Sequence, residues 1–185
     1  MMATNEGESS DDSHNNVLRE SPRVVIIGAG LTGIATADIL QRAGLTDYVV
    51  LEATDRVGGR IWSIDVGWLC GREAEFMEML SDEEIGKKCT DVLKSFLKTE
   101  IPPLKRIIRT KWKSNQYTLG SYCYIPNGSS NEDIEGLAEP LEGKLEKPQI
   151  MFAGEATHPT YYSSSHGALL SARREAQRIL DYNSH

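Results

Sequence analysis

Six residues near the start of the chain have the types and spacing of a phosphate cradle. Gly28-Ala29-Gly30-Leu31-Thr32-Gly33 fits Gly-x-Gly-x-x-Gly. In that pattern the first glycine allows a tight turn out of a strand. The second lets backbone approach a pyrophosphate, and the third lets helix and strand pack closely. A helix opening at this point offers free N–H groups and partial positive charge to phosphates. Glu52 stands about 20 residues on, where a carboxylate accepts ribose hydroxyls and disfavours a ribose 2′-phosphate. Asp55-Arg56-Val57-Gly58-Gly59-Arg60 follows, with two more glycines for close backbone approach and two arginines for pyrophosphate charge. The chemistry implied is capture of the ADP half of a dinucleotide.

These residues need a strand–turn–helix–strand frame, and the flanking sequence supplies one. Val24-Val25-Ile26-Ile27 is a β-branched run that fits a parallel strand covered on both faces. Leu31, Ile34, Ala35 and Ile39 recur at helical spacing, with Gly44 placed as a C-terminal cap. Tyr48–Leu51 reads as the second strand, giving a βαβ unit and an α/β class with a parallel sheet.

Farther on the pattern is uneven. Residues 1–21 are rich in Ser, Asn, Asp and Glu and read as a disordered leader. Trp62–Glu75 shows no clear period. Ser81-x-x-Glu84 is a capping box, and Ile85, Cys89, Val92, Leu93 and Phe96 predict an amphipathic helix over 82–98. Pro102-Pro103 stops any continuation. Residues 126–148 read as a long surface loop. Gln149–Ala153 reads as a short strand ending at Gly154, and a last helix runs from His166 with Leu169, Ala172, Ala176 and Leu180 on one side.

Several function classes are excluded or disfavoured. A net charge of −7 and a pI near 5.2 lack the cationic surplus of a nucleic-acid binder. The three cysteines, Cys70, Cys89 and Cys123, form neither a zinc pattern nor a disulfide framework. No segment has the roughly 18 apolar residues of a membrane span, and the first 20 residues carry no apolar run of a secretory signal. The C-terminal Asn183-Ser184-His185 is not a Ser-Lys-Leu type ending. The expectation is a cytosolic monomer acting on a small molecule.

The motifs together carry a resemblance. Glu52-x-x-x-Arg56-x-Gly58-Gly59-Arg60 resembles the flavin amine oxidase pattern. Four later stretches resemble the polyamine oxidase branch: Met79-Leu80-Ser81-Asp82-Glu83-Glu84, Trp112-x-Ser114-Asn115-x-Tyr117, Gly120-Ser121-Tyr122-x-Tyr124, and Phe152-Ala153-Gly154-Glu155-Ala156-Thr157-His158 continuing into Tyr161–Ser171. The match covers roughly residues 22–64 and 72–182. It implies a Rossmann-like FAD-binding domain, with 22–64 and 149–182 as its two halves and 65–125 as the remnant of a substrate domain and flavin-facing segment.

The resemblance also implies roles. Gly28, Gly30, Leu31, Thr32, Gly33, Glu52 and Arg60 would hold the ADP end. Gly154 and Glu155 would reach the ribityl and pyrophosphate region. Ser164 and Ser165, opening the last helix with His166, would face the flavin's pyrimidine end; simple N-capping is the other reading of the same serines, and both can hold at once. Trp112 and Tyr117 would lie beside the isoalloxazine; on composition alone they are ordinary core aromatics, as is Tyr122. Tyr122 and Ser164 would border the amine, where a π-face suits a cationic alkylamine. The monoamine oxidase branch carries its flavin on a cysteine where this chain has Ser121, so non-covalent FAD is implied and Cys123 reads as structural.

The implied activity is oxidation of spermine, spermidine or their N-acetylated forms beside a secondary amine. The imine hydrolyses to an aldehyde, and flavin reoxidation yields hydrogen peroxide. The resemblance also shows what is lacking. Full-length members carry a large substrate domain, further sheet strands and an active-site lysine between the Gly-Gly-Arg and Met-Leu-Ser-Asp motifs. Here only 18 residues separate Arg60 from Met79, and Lys87, Lys88 and Lys94 are not in that lysine's motif, so no catalytic lysine is assigned. A splice form, a mispredicted gene or a degraded paralogue would each give this chain, and a catalytically inactive FAD-binding form is the alternative to an oxidase. A nicotinamide dehydrogenase would rest on the glycine fingerprint alone.

Overall fold

The structure is a computed structural model that describes residues 23–61, 69–144 and 148–183. The expected leader, and the residues around 64 where the first matched stretch ends, lie outside them. The order is β1 (Val24–Ile27), α1 (Leu31–Arg42), β2 (Tyr48–Leu51), α2 (Gly71–Met79), α3 (Asp82–Leu97), α4 (Asn131–Leu137), β3 (Leu141–Glu142), β4 (Pro148–Ile150), a single 3₁₀ turn (Glu155–Thr157) and α5 (Ser165–Asn183).

The expected βαβ unit is present. β1 and β2 pair in parallel with Val24 opposite Tyr48 and Ile27 opposite Leu51. α1 ends as Gly44 predicted. Gly44 takes a positive φ of 85°, its N–H reaches the Gln41 carbonyl and the Leu45 N–H reaches the Leu40 carbonyl. This double bond satisfies the orphan carbonyls of the last turn. The chain is thus an α/β protein with a small parallel sheet.

The core lies between α1 and α5 rather than across a broad sheet. Gly33, Thr36 and Leu40 of α1 meet Ala168, Ser171, Ala172 and Ala176 of α5, all buried. Small residues on both helices allow the close approach, and burying Leu40 contributes roughly 1.5–3 kcal/mol. Glu175, also buried, is held by Arg174 and Arg178. The two arginines reach outward to the Phe152 and Thr157 carbonyls and to the Ala138 carbonyl. They clamp α5 onto the 3₁₀ turn and the end of α4.

Three expectations change. β1 is covered on one face only: Val24 and Ile26 face α1, while Val25 is exposed and Ile27 is 86% exposed. The stretch 126–148 is not all loop. Ser130 caps α4 through a capping box with Asp133, and β3 pairs antiparallel with β4. A capping box with Asp in place of Glu or Gln hid this short helix. The strand expected over Gln149–Ala153 is β4, which covers Pro148–Ile150, stops before Phe152, and pairs with β3 rather than joining the β1–β2 sheet.

α3 forms as its capping box predicts, with Ser81 Oγ accepting from the Glu84 N–H and Glu84 accepting from the Ser81 N–H. Its apolar stripe is only half used. Ile85 is buried, and Leu104 and Ile107 reach to within contact of Gly86, whereas Val92, Leu93 and Phe96 are exposed. In the aperiodic Trp62–Glu75 stretch, α2 begins at Gly71.

Candidate functional site

The glycine turn has the geometry its motif requires. A Cβ on Gly33 would sit 1.9 Å from the Gly28 carbonyl oxygen and 3.3 Å from Ile26 Cγ2, so only glycine lets α1 pack on β1 here. The turn is then joined by the second pair of glycines. The Gly58 N–H donates to the Ala29 carbonyl at 2.8 Å, and Gly30 bridges Gly58 in parallel. Gly30 and Gly59 approach backbone to backbone with no side chain between them. α1 has no side-chain cap at Gly30, so its first-turn amides at Leu31, Thr32 and Gly33 are left by the helix for an anion.

Glu52 closes the turn from the end of β2. Its Oε2 accepts the Ala29 N–H at 2.8 Å, and its Oε1 accepts the Thr54 N–H at 2.9 Å and the Thr54 hydroxyl at 2.8 Å. The Ala29 amide, followed by Thr54, lowers the Glu52 pKa from 4.5 to about 2. The Ala53 amide adds a weaker contribution, and of the two oxygens Oε2 carries one of these bonds and Oε1 two, so Oε2 is the less occupied acceptor. Thr32 is used differently: its hydroxyl donates to the Ala168 carbonyl at 3.1 Å and ties α1 to α5. Any role for Thr32 at a phosphate is left to its backbone.

The other half of the site is gathered by Glu155. Gly154 precedes it with φ 150° and ψ 169°, a backbone state reserved almost entirely for glycine. The Gly154 N–H donates to Ser171 Oγ at 2.9 Å, so α5 and not the parallel sheet places this turn. Glu155, only 7% exposed, then accepts four donors. They are Arg60 Nη1 at 3.0 Å, the Cys123 N–H at 3.2 Å, Cys123 Sγ at 2.9 Å and the Ser163 N–H at 2.7 Å. Burial alone would raise its pKa, but Cys123, Ser163 and Arg60 outweigh burial and hold it below the ordinary value. Burial is also the main reason the Cys123 thiol is pushed up.

Arg60 also donates to the Ser121 carbonyl at 2.5 Å, and Ser163 Oγ donates to the Cys123 carbonyl. Gly28–Gly33, Glu52, Arg60, Ser121–Cys123, Gly154-Glu155 and the entry to α5 are therefore one bonded assembly. Ser164 caps α5, accepting the Gly167 N–H at 3.2 Å and donating to the Tyr161 carbonyl at 2.6 Å. Ser165 begins the helix, one residue before the expected start. Tyr122 borders the assembly and is 46% exposed.

Trp112 and Tyr117 are held elsewhere. Thr118 Oγ1 donates to the Trp112 carbonyl at 2.8 Å, and the Tyr117 N–H donates to Asn115 Oδ1 at 2.9 Å. Among the described residues these bonds stay within 111–118. The segment is docked on α2 by Glu78, whose two oxygens accept the Lys113 and Ser114 N–H groups at 2.9 Å each. Arg109 adds bonds to the Met77 and Leu80 carbonyls and an ion pair to Asp82 at 3.0 Å. Burial opposes the Glu78 charge, but the Lys113 and Ser114 bonds win and lower its pKa.

Sequence reasoning missed Ser163, Glu78, Ser171 and the Arg174–Glu175–Arg178 cluster. Glu78 stands just before Met79-Leu80-Ser81, and a polar residue flanking a motif was the only available signal. Among the described residues no His, Cys, Asp and Glu cluster could hold a metal ion, and no helix is long and apolar enough to cross a membrane.

Comparison with known proteins identifies the family of the chain. The chain matches the family model "Flavin containing amine oxidoreductase" in two blocks, residues 31–68 and 66–180, which meet at 66–68. It is 49% identical over 139 residues to the human peroxisomal N(1)-acetyl-spermine/spermidine oxidase, covering 74% of this chain and 26% of that protein. The same enzyme of Bos taurus is 47% identical over 117 residues, 62% of this chain and 23% of the relative. Polyamine oxidase 1 of Oryza sativa subsp. japonica is 38% identical over 129 residues, 65% of this chain and 25% of the relative. The chain spans about a quarter of the length of these relatives. With the family model matched over most of its length, this chain belongs to the flavin-containing amine oxidoreductases, an oxidoreductase family whose cofactor is FAD.

Proposed function

We propose that this chain holds FAD non-covalently in a Rossmann-like site and is of polyamine oxidase type. One observation carries the reading. The Arg60–Glu155 pair joins motifs 95 residues apart, so the two ends of the chain build one assembly around the glycine turn. The residues suit the group. The Gly30–Gly59 approach is bare backbone, the first-turn amides of α1 are available to a pyrophosphate, and Glu52 Oε2, bonded to the Ala29 amide, is the less occupied oxygen for a ribose hydroxyl.

Gly28, Gly30, Leu31, Thr32 and Gly33 would hold the pyrophosphate through backbone, and Arg60 would add charge. Glu155 already accepts four donors, so taking a ribityl hydroxyl requires one of them to move. Ser164 and Ser165, at the opening of α5, are the proposed neighbours of the flavin ring, with Tyr122 and Ser164 toward the amine. Trp112 and Tyr117 are the proposed ring neighbours on the α2 side. When bound, the flavin supplies the two-electron acceptor for amine oxidation. The substrate of the type is spermine, spermidine or an N-acetylated form, and the relatives' names agree with that class. We place the chain in the cytosol, with the peroxisome named for the mammalian relatives as the alternative; a fluorescent fusion separates the two.

A second reading, FAD binding without turnover, is favoured by exposure. Ile27 at the strand end is 86% exposed, and Tyr117 and Tyr122 are 58% and 46% exposed. Oxidation needs the amine held in line in a water-free cavity. Reconstitution with FAD followed by absorbance spectroscopy tests the binding. Spermine and N-acetylspermine then separate the readings: bleaching with peroxide above a no-protein control supports the oxidase, and a stable flavin spectrum supports the silent form. No retained flavin refutes both.

A further inference from the structure

We infer that Glu78 is a positioning residue that sets Trp112 against the flavin ring, an inference that rests on the FAD reading above. Residues 104–118 contain no helix or strand, so their backbone groups are paired by local turns within 111–118 and by side chains of neighbouring elements. Glu78 supplies two such bonds. Its oxygens take the amides on the C-terminal side of Trp112, those of Lys113 and Ser114, at 2.9 Å each across 35 and 36 residues of sequence.

A carboxylate accepting two adjacent backbone amides fixes both the place and the orientation of the intervening peptide. Charge-assisted bonds of this kind are stronger than neutral ones. The turn of 111–118 is then closed on itself by Asn115 and Thr118. Lys113 Nζ lies 3.5 Å from Glu75, on the same helix as Glu78, and Arg109 ties the chain upstream of Trp112 to the end of α2. The clamp thus has a bond on each side of Trp112, and Glu78 is the member that touches the peptide next to it. A ring neighbour carried on irregular backbone needs such a supporting layer to keep a productive orientation.

The test isolates Trp112 optically. The chain has three tryptophans, and Trp62→Phe with Trp68→Phe leaves Trp112 alone. In that full-length background, FAD binding followed by flavin absorbance and quenching of Trp112 emission are read together. Glu78→Ala is expected to lose most of the quenching while FAD affinity stays within about twofold, because the glycine turn and Glu52 are untouched. Hydrogen exchange of the Lys113 and Ser114 amides in the flavin-free chain is expected to speed up by about tenfold or more. Glu78→Gln, which keeps one acceptor oxygen, is expected to fall between parent and E78A in both readouts.

Unchanged quenching and unchanged exchange in E78A overturn the inference. Quenching and affinity falling together, in E78A and E78Q alike, also overturn it, since Glu78 would then be general fold support. If the parent binds no FAD, the cofactor reading fails by itself. The exchange of the Lys113 and Ser114 amides and the anisotropy of Trp112 emission in the flavin-free chain then decide whether Glu78 orders this segment, and no change in either removes the role.

Discussion

Arg60 and Glu155, 95 residues apart, form an ion pair at 3.0 Å in which the carboxylate is nearly buried and the guanidinium is partly exposed. The asymmetry matters. Arg60 keeps some hydration and gives up little if the bond breaks, whereas Glu155 is left buried with one donor fewer. The pair is where the arm after β2 is fastened to the turn before α5.

Arg60→Ala is therefore expected to lower stability by about 1–2 kcal/mol, less than for a fully buried pair because the guanidinium is solvated. Glu155→Gln is expected to cost more, about 2–4 kcal/mol. Its amide nitrogen faces donors whichever way it turns. Urea unfolding midpoints of both variants and the double variant check this, and the double variant should lose less than the sum of the singles.

Gly33→Ala is expected to abolish FAD binding and destabilise the chain by about 3 kcal/mol or more, since overpacking a closed contact forces backbone to shift. The new Cβ would lie 1.9 Å from the Gly28 oxygen. Thermal unfolding followed by circular dichroism reads the stability. A normal melt and normal flavin uptake would contradict the geometry of the turn.

Stability is expected to depend on pH through Glu52. Its pKa falls from 4.5 to about 2 on folding, chiefly through the Ala29 amide. A depressed folded pKa contributes stability that is fully present above the unfolded value and is lost as pH falls from 4.5 toward 2. Glu78 and Glu155, lowered as well, act with the same sign. Denaturant midpoints should be flat above this window and fall within it, and Glu52→Gln should flatten part of the fall.

Ser171→Ala is expected to cost about 1–3 kcal/mol, the range for leaving a buried donor unpaired. Ser171 Oγ accepts the Gly154 N–H at 2.9 Å and donates to the Ala168 carbonyl at 2.8 Å. The loss should appear in chemical denaturation and in faster exchange of the Gly154 amide. An unchanged amide would mean that Gly154 holds its extended, positive-φ state without α5.

Much was legible where short-range chemistry decides the outcome. Val24–Ile27, the glycine turn, the α1 periodicity, Gly44 and the Ser81-x-x-Glu84 box each specify local backbone, and each element formed within a residue or so of its expected ends. Less was legible where chain segments meet. α4 was not legible because its box ends in Asp133, and Phe152-Ala153 has the pattern of a strand but, among the described residues, no partner strand beside it.

The sequence by itself determined the glycine fingerprint, the acid after β2 and the motifs of the flavin amine oxidases, because these depend on residue type at fixed spacing. Only the tertiary structure decided what the charged residues touch. It turned Glu155 inward onto Arg60, Cys123 and Ser163, spent the Thr32 hydroxyl on α5, and put Glu78 beneath the Trp112 segment. These partners lie 8 to 136 residues apart. Spacing in sequence carries no information about such contacts; the burial of α5 against α1 and the clamp of α2 on 109–114 bring them within bonding distance.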